Sequence, residues 1–565
     1  MRGVVRMARI APVLLVCLLV ALTTEPAYLA DTSRYINEIL NHRAHTLPAS
    51  ADPFWDFGHV AWRPLVNTAF DLAGPTVERL RGGDERQAVA WIMIAIAALS
   101  TLCAILLLWS FLERHTSAWA AWVGASACLC TNAVLDYSRS GAPYLPALAW
   151  LVLSLWLVER AHARPARAIL LATFAGLSLF ASIAFWFPFL LAAPVAALYA
   201  LYGSPKPPLR LRVQIAAVLV AVCVVLLGAS YVAAARARQI HSFAELKSWI
   251  NASRNDVAQT DKIKRAVSGV PRSFLDLGDD TLLLKRYVFR DPYNRVGIGQ
   301  VLLAPGTIKL LLFYLYAGAV VVVLWKSPGG RRTLVLLAAA AAPVVGFAVF
   351  LFEPGATERY LPAYPFVFLA AACALTGEGR HSAAVRPMMA FFLLAVLCAG
   401  NIYAKSPWRT SGAYQAFLER KDSLEAQAQP GSMVAVINFW DPLYRVPPLR
   451  LLDSRAQPRN LWVYDVIETA SARVFRWRQE LAENALERWS RGEQVWLSDR
   501  LLADRPLPEW KWIEGDTGRV KWTELRDFFR SLDVTERAGG NDGFALLAPD
   551  TRNLERLGEL ATTSK

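Results

Sequence analysis

The chain reads as an α-helical polytopic membrane protein, with about 11 transmembrane helices followed by a small extracytoplasmic α/β domain. Three observations predict this class. Hydrophobic residues make up 55% of the 565 and charged residues only 19%, against about 25% charged in an ordinary soluble domain; mean hydropathy is +0.31. The charges are also unevenly spread: from Ala404 to Lys565 there are 24 Lys/Arg and 24 Asp/Glu, so the whole net charge of +14 falls on the first 403 residues. Finally, apolar runs long enough to cross a hydrocarbon core of about 30 Å recur along that first part. This composition excludes a soluble enzyme, a disordered chain and a disulfide-rich secreted domain. All seven cysteines (Cys17, Cys103, Cys128, Cys130, Cys223, Cys373 and Cys398) lie in apolar stretches. There a thiol acts as a small hydrophobe, and no disulfide framework is expected.

Spans are predicted at about 10–30, 87–112, 117–135, 143–158, 168–184, 186–202, 213–235, 306–325, 333–352, 360–376 and 387–403. The first has the basic start (Arg2, Arg6, Arg9) and short apolar run of a signal peptide. Tyr28, three residues before Asp31, makes a poor cleavage site, so an uncleaved anchor is expected. The fifth and sixth form one run broken only around Phe185, Trp186 and Pro188. That run is too long for a single helix and is divided into a hairpin.

Loop charge gives the orientation. With the N-terminus in the cytoplasm, the inner segments hold 15 basic residues, among them Arg114, Arg160, Arg210, Arg331 and Arg386, against three acidic ones, Glu113, Glu159 and Glu378. The short outer loops hold only Arg139 and Arg359. This is the positive-inside asymmetry of a bacterial inner-membrane protein. The basic excess is therefore mostly an orientation signal, and no nucleic-acid partner is expected.

Everything long and polar then faces outward: about 31–86, about 236–305, and the tail. The chain divides into a transmembrane domain, 1–403, and an extracytoplasmic α/β domain, 404–565. Apolar residues at 35, 36, 39 and 40 predict an amphipathic helix lying along the membrane surface. In the tail, 433–437, 461–464, 494–497 and 544–547 read as strands, while 473–490 and 522–531 read as helices. The tail has no histidine and no nucleotide-binding glycine pattern, so no catalysis is assigned to it.

An outward-facing membrane enzyme has no access to cytosolic nucleotide-activated substrates, and a lipid-linked substrate is the natural solution. Its phosphate calls for Arg or Lys, its sugar for aromatic and polar contacts, and its acceptor hydroxyl for a carboxylate base or a carboxylate-held divalent metal. The outer ends of the spans supply these types. Asp31 stands at the mouth of the first span, with Tyr35, His59, Trp62 and Arg63 in the first loop. Asp136, Arg139 and Tyr144 stand between the third and fourth spans, and Glu358, Arg359 and Tyr360 between the ninth and tenth. Lys309 is the one basic residue inside a predicted helix. Such a residue either functions or snorkels to the interface.

Three short motifs carry a resemblance: Asp31 just after the first span followed by Tyr35; Trp62-Arg63-Pro64-Leu65; and Arg359-Tyr360-Leu361-Pro362-Ala363-Tyr364-Pro365 entering a late span. The turn from Ser138 to Tyr144 is a fourth. Across residues 1–403 the layout resembles the C-type (GT-C) glycosyltransferase superfamily, specifically the bacterial branch related to protein mannosyltransferases and aminoarabinose transferases. The resemblance implies a polyprenyl-phosphate sugar donor and an extracytoplasmic acceptor that is a protein, a lipid or a polysaccharide. It implies Asp31 as the base that deprotonates the acceptor, and Arg359 with Arg63 as holders of the donor phosphate. Arg139 and Lys309 are further candidates for that phosphate, and Tyr35, His59, Trp62, Asp136, Tyr144, Glu358 and Tyr360 for the substrates. Many relatives carry two adjacent acids in the first loop, whereas Asp31 is followed by Thr32; a second acid would have to be Asp52, Asp56 or Asp136. Whether a divalent metal takes part stays open.

Each residue also has a structural alternative. Asp31-Thr32-Ser33 suits a helix cap. Asp136 and Arg139 suit a local ion pair, and the aromatic residues Trp55, Trp62 and Tyr144 suit anchoring at the membrane interface. At the level of the whole chain, a lipid or solute transporter (flippase) and a catalytically inactive scaffold are the competing functions.

Overall fold

The computed structural model describes residues 2–24, 30–45, 52–80, 85–203, 207–252, 262–278, 281–288, 290, 295–327, 329–376, 380–437, 461–466, 477–503, 521–538 and 543–562. The chain forms two compact units. The first takes in residues up to 255, 262–281 and 303–407; the second contains 282–302 and everything from Trp408 on.

In the first unit, eight helical segments among the described residues are long and apolar enough to cross a membrane: Glu85–Leu112, Tyr144–Ala163, Pro165–Phe185, Leu209–Ala237, Pro305–Lys326, Gly330–Leu351, Thr357–Thr376 and Val385–Ala404. Three shorter apolar helices, Ile10–Thr23, Ala118–Leu129 and Phe187–Tyr202, stand where the other predicted spans were placed. In chain order the helices needed below are α1 (Arg2–Thr23), α2 (Ala30–Arg43), α3 (Trp62–Leu80), α4 (Glu85–Leu112), α5 (Ala118–Leu129), α6 (Asn132–Tyr137), α7 (Tyr144–Ala163) and α8 (Ala168–Phe185). They are followed by α9 (Ala193–Tyr202), α10 (Leu209–Ala237), α11 (Phe243–Ala252) and α12 (Lys262–Phe274).

Local chemistry sets the breaks. Trp186 leaves α8 in extended backbone (φ −151°, ψ 109°), and Pro188, lacking an N–H, opens a short 3-10 turn before α9. The predicted hairpin is thereby divided at the expected residues. Ser117 caps α5 and Thr131 caps α6, each accepting from a backbone N–H three residues on. Gly141 adopts φ +78° in the turn between α6 and α7, where a side chain would also crowd Met93 and Thr32.

Two features of the first outer loop differ from expectation. The stripe of α2 does not lie open at a surface: Tyr35, Ile36 and Ile39 are almost fully buried within the protein. They pack there because α2 lies against α4, the Pro53–Trp55 turn and α3, a 19-residue helix the sequence reading did not foresee. Its Gly74-Pro75 pair masks the helical signal.

Burial ranks the spans. Thr357–Thr376 is 83% buried and Tyr144–Ala163 67%, while Leu209–Ala237 is 22% buried. The two most central spans are those whose first turns carry Glu358, Arg359 and Tyr144.

The second unit holds a five-stranded sheet in the order β2-β1-β3-β5-β4: β1 (Met433–Val436), β2 (Trp462–Asp465), β3 (Val495–Ser498), β4 (Val534–Ala538) and β5 (Phe544–Leu547). β1 pairs in parallel with β2 and β3, and β5 is antiparallel to β3 and β4. Alternation divides the central strands between two cores. Met433, Ala435, Val495 and Leu497 pack with Trp477, Leu481, Trp522 and Phe529, while Val434, Val436, Trp496 and Phe544 pack with Phe417 and Leu418. The four predicted strands are present. β4 was missed because its Thr535, Glu536 and Arg537 break the apolar pattern. Residues 473–476 of a predicted helix lie outside the described residues, and the helix runs Trp477–Ser490.

Candidate functional site

Four segments far apart in sequence meet at one end of the first unit: α2 with the His59 turn, the α6–α7 turn, the break after α8, and the turn preceding Tyr364. The node is Tyr144, the first residue of α7. Its ring lies 4.7 Å from Tyr137, 4.6 Å from Trp186 and 6.1 Å from His59, centroid to centroid. Tyr137 donates a 2.7 Å hydrogen bond to Glu358. Arg359 lies with its guanidinium carbon 5.3 Å from the Trp186 ring centre and 4.0 Å from that of Phe352. On the other flank, the Nδ1–H of His59 donates to the Phe185 carbonyl at 3.1 Å. A carbonyl only accepts, so in the neutral ring Nε2 accepts from the Tyr35 hydroxyl at 3.3 Å. The cluster therefore brings together Tyr35, His59, Tyr144, Glu358 and Arg359 of the sequence candidates. It adds Tyr137 and Trp186, which sequence reasoning passed over. The one available signal was Trp186 at the break in the long apolar run.

Arg359 is 7% exposed. Its Nε stands 3.4 Å from Glu358, too long for a strong charge-assisted bond, and has no hydrogen-bond partner among the described residues. The guanidinium lies between two aromatic faces with Glu358 beside it and the Glu353 charge also acting on it, and its planar fork suits an anion.

The other cationic candidates are held by protein groups. Arg63 is 1% exposed, donates through Nε to Glu38 at 2.5 Å, pairs with Glu38 again through Nη2, and faces Asp56 at 3.7 Å. Its guanidinium stacks 4.8 Å from Tyr35. Glu38 is shared with Arg34, 2.8 Å away, and Arg63 Nη1 has no hydrogen-bond partner among the described residues; the Glu38 pair fastens α3 to α2 beneath Tyr35. Replacing Arg63 with Met is expected to cost about 3–5 kcal/mol of stability by removing the arginine that faces Asp56 and leaving Glu38 with Arg34 alone. It should lower the melting temperature of the purified protein while folded molecules keep their affinity for a lipid phosphate. Lost affinity at an unchanged melting temperature would return Arg63 to anion binding. Arg139 caps α1, donating to the Ala21 carbonyl at 3.1 Å and to the Thr24 carbonyl at 2.6 Å. Lys309 donates to the Asp276 carbonyl at 2.7 Å.

Trp62 is fully buried against Phe185, 6.1 Å between ring centres. Tyr360 turns away from the cluster, donating to the Pro354 carbonyl at 2.7 Å. There α12 passes so close that a Cβ on Gly269 would overlap that carbonyl. The three second-acid candidates are each engaged. Asp52 takes the Phe54 N–H at 2.9 Å and pairs with His42. Asp56 faces Arg63, and Asp136 meets Lys405 at 2.7 Å. Lys405 also reaches Asp276 at 3.2 Å. Burial opposes both ionised forms, yet Asp136 and Asp276 hold the Lys405 ammonium above the ordinary lysine value. Lys405 and the Gly278 N–H hold the Asp276 carboxyl below the usual range.

Asp31 lies in the first turn of α2, one helical turn before Tyr35, and its side chain lies outside the described residues. Its neighbour Thr32 donates to the Ser140 carbonyl, which fixes this end of α2 against the α6–α7 turn. Among the described residues, no group of three or more His, Cys, Asp or Glu side chains is arranged to hold a metal ion.

No sequence-family profile matches the chain, and neither does any curated protein. Solved structures do. The crystal structure of ArnT from Cupriavidus metallidurans bound to undecaprenyl phosphate aligns at TM-score 0.50 and 11% identity, covering 97% of this chain and 98% of that one. The same protein in its apo state aligns at 0.48 and 13%, covering 98% and 99%. The archaeal oligosaccharyltransferase AglB from Archaeoglobus fulgidus, in complex with an inhibitory peptide and a dolichol-phosphate, aligns at 0.46 and 12%, covering 97% and 74%. Both proteins are GT-C glycosyltransferases. The liganded ArnT likeness spans nearly the full length of both chains, and in fold this polytopic helical chain with its C-terminal α/β unit is GT-C-like.

Proposed function

We propose that this protein is a membrane glycosyltransferase that moves a sugar from a polyprenyl-phosphate donor to an extracytoplasmic acceptor. The observation that carries the reading is the convergence of Tyr35, His59, Tyr144, Glu358 and Arg359, from three polar turns, on one buried aromatic cluster at the end of the two most central spans. By loop charge that end faces outward from a bacterial inner membrane, with the N-terminus in the cytoplasm and residues 404–565 as an extracytoplasmic domain. Support comes from the GT-C-like fold and from the undecaprenyl phosphate bound to the similar structure.

In this reading the Asp31 carboxylate takes the proton of the acceptor hydroxyl. The oxygen attacks the anomeric carbon, forming the new glycosidic bond as the bond to the donor phosphate breaks. The leaving polyprenyl phosphate carries off the bonding electron pair, and Arg359 balances its charge. Attack opposite the leaving group inverts the anomeric centre. Tyr35, His59 and Tyr144 line the sugar's place, and Glu358, fixed by Tyr137, supplies a second acid where Asp52, Asp56 and Asp136 are engaged elsewhere.

The test is a transfer assay with the purified full chain in lipid nanodiscs and a panel of radiolabelled undecaprenyl-phosphate sugars, using extracted cell-envelope protein, lipid and polysaccharide as acceptors. Label moving to one acceptor fraction supports the reading. Movement of intact donor across proteoliposomes without a covalent product would replace it with transport.

A further inference from the structure

Behind the cluster lies a second set of charges that the proposed chemistry does not use. Asp136 of α6, Asp276 beyond α12, and Lys405 at the end of the last span meet in one place, with N–O distances of 2.7 and 3.2 Å around the lysine. Asp136 is 8% exposed, and the Lys405 side chain 12%. The surrounding hydrogen bonds tie the same three stretches of chain. Asn401, 1% exposed, donates to the Cys130 carbonyl at 2.8 Å and the Phe274 carbonyl at 2.6 Å, and accepts from the Asp276 N–H at 2.8 Å. Asn132 donates to the Arg272 carbonyl at 3.0 Å, and Lys309 holds the Asp276 carbonyl from another helix.

The geometric consequence concerns Tyr137. Asp136 and Tyr137 are adjacent on a six-residue helix, and their side chains diverge: Asp136 to Lys405, Tyr137 to Glu358. A helix this short has little rigidity of its own, so what holds Asp136 also sets where Tyr137 stands. We infer that Lys405 is a positioning residue: by gripping Asp136 and Asp276 together it sets the Tyr137–Glu358 contact, and with it the acid that flanks Arg359. This rests on the proposed function only insofar as that cluster is the reacting site; the mechanical claim stands on the contacts alone.

The chain leaves the first unit two residues after Lys405, at Pro407, so the grip lies at the covalent exit toward the C-terminal unit. A lone surface lysine would contribute little. A buried one between two carboxylates is costly to remove singly, because Asp136 and Asp276 are then left unpaired. Lys405→Met is therefore examined beside the triple variant Lys405→Met, Asp136→Asn, Asp276→Asn, which removes the grip without stranding charge, and beside Lys405→Arg, which keeps it.

The experiment measures hydrogen–deuterium exchange and transfer kinetics on the full chain in nanodiscs. In both variants lacking the lysine charge, amide exchange in 132–137 and 357–363 is expected to rise by about tenfold or more, while α4 and α7 exchange as in the wild type. Transfer kcat falls about tenfold with donor KM within twofold, and Lys405→Arg restores both readouts. Loosening confined to 272–278 and 401–405, with 132–137 and 357–363 unchanged, overturns the inference, as does a fall in kcat that Lys405→Arg fails to rescue. A wild-type chain with no transferase activity sinks the proposed function and leaves exchange to decide the role of Lys405.

Discussion

Asp31→Asn is expected to abolish transfer, by about 10²–10⁴-fold in kcat, the usual contribution of a positioned general base. The amide keeps the shape of the carboxylate, so the variant should insert, melt and bind undecaprenyl phosphate as the wild type does. α2 begins at Ala30, so Asp31 stands inside its first turn and not at the cap position, and the variant removes only the proton acceptor. The placement of the residue favours the chemical role. Asp31 stands one helical turn before Tyr35, whose hydroxyl bonds His59, and next to Thr32, which is tied to Ser140 in the α6–α7 turn. Nucleophile activation and the aromatic wall would thus be fixed by the same helix end. Full activity of Asp31→Asn would remove it from the mechanism and move the base to Glu358, the acid of the cluster that Tyr137 already orients.

The second large effect is expected at Arg359. A hydrogen bond to a charged group contributes about 1.5–3 kcal/mol, so Arg359→Met should weaken binding of undecaprenyl phosphate by about 10- to 150-fold. It should lower kcat as well, because the phosphate gains charge as it leaves. Lys restores charge but not the planar fork that Trp186 and Phe352 enclose, and Arg359→Lys should recover only part of the loss. The measurement is a titration of the lipid phosphate by intrinsic tryptophan fluorescence, with kinetics on the same preparations. Unchanged affinity in Arg359→Met, in protein of normal melting temperature, would take the donor phosphate away from this residue. The contrast with Arg63 sharpens the test: one buried arginine should govern affinity, the other stability.

That contrast also marks how far the sequence reaches. The spans were legible because burial in lipid demands a single local property, some twenty apolar residues in a row, and the helices fall where those runs fall. The hairpin break at Trp186 was legible because proline removes a backbone donor wherever it stands. The strands of the C-terminal unit were legible where alternation was clean, and β4 was lost where it was not. In the site, the polar turns could be ranked by residue type, and those at Tyr35, His59, Tyr144, Glu358 and Arg359 do meet.

Partner choice was not legible. Arg63, Arg139 and Arg359 look alike in sequence, each a lone arginine in an aromatic-rich outer turn. The fold gives Arg63 to Glu38, 25 residues upstream, and Arg139 to the end of α1, more than 110 residues away. Arg359 is left beside its neighbour Glu358. Asp136 and Tyr137 likewise are adjacent letters sent to different partners, one to Lys405 and the other to Glu358. Hydropathy is a sum over neighbours in the chain, so the sequence by itself determined the class, the spans and the side of the bundle on which polar residues gather. The neutralisation of a buried charge is a matter of neighbours in space, and only the tertiary structure decided which carboxylates and carbonyls each arginine meets.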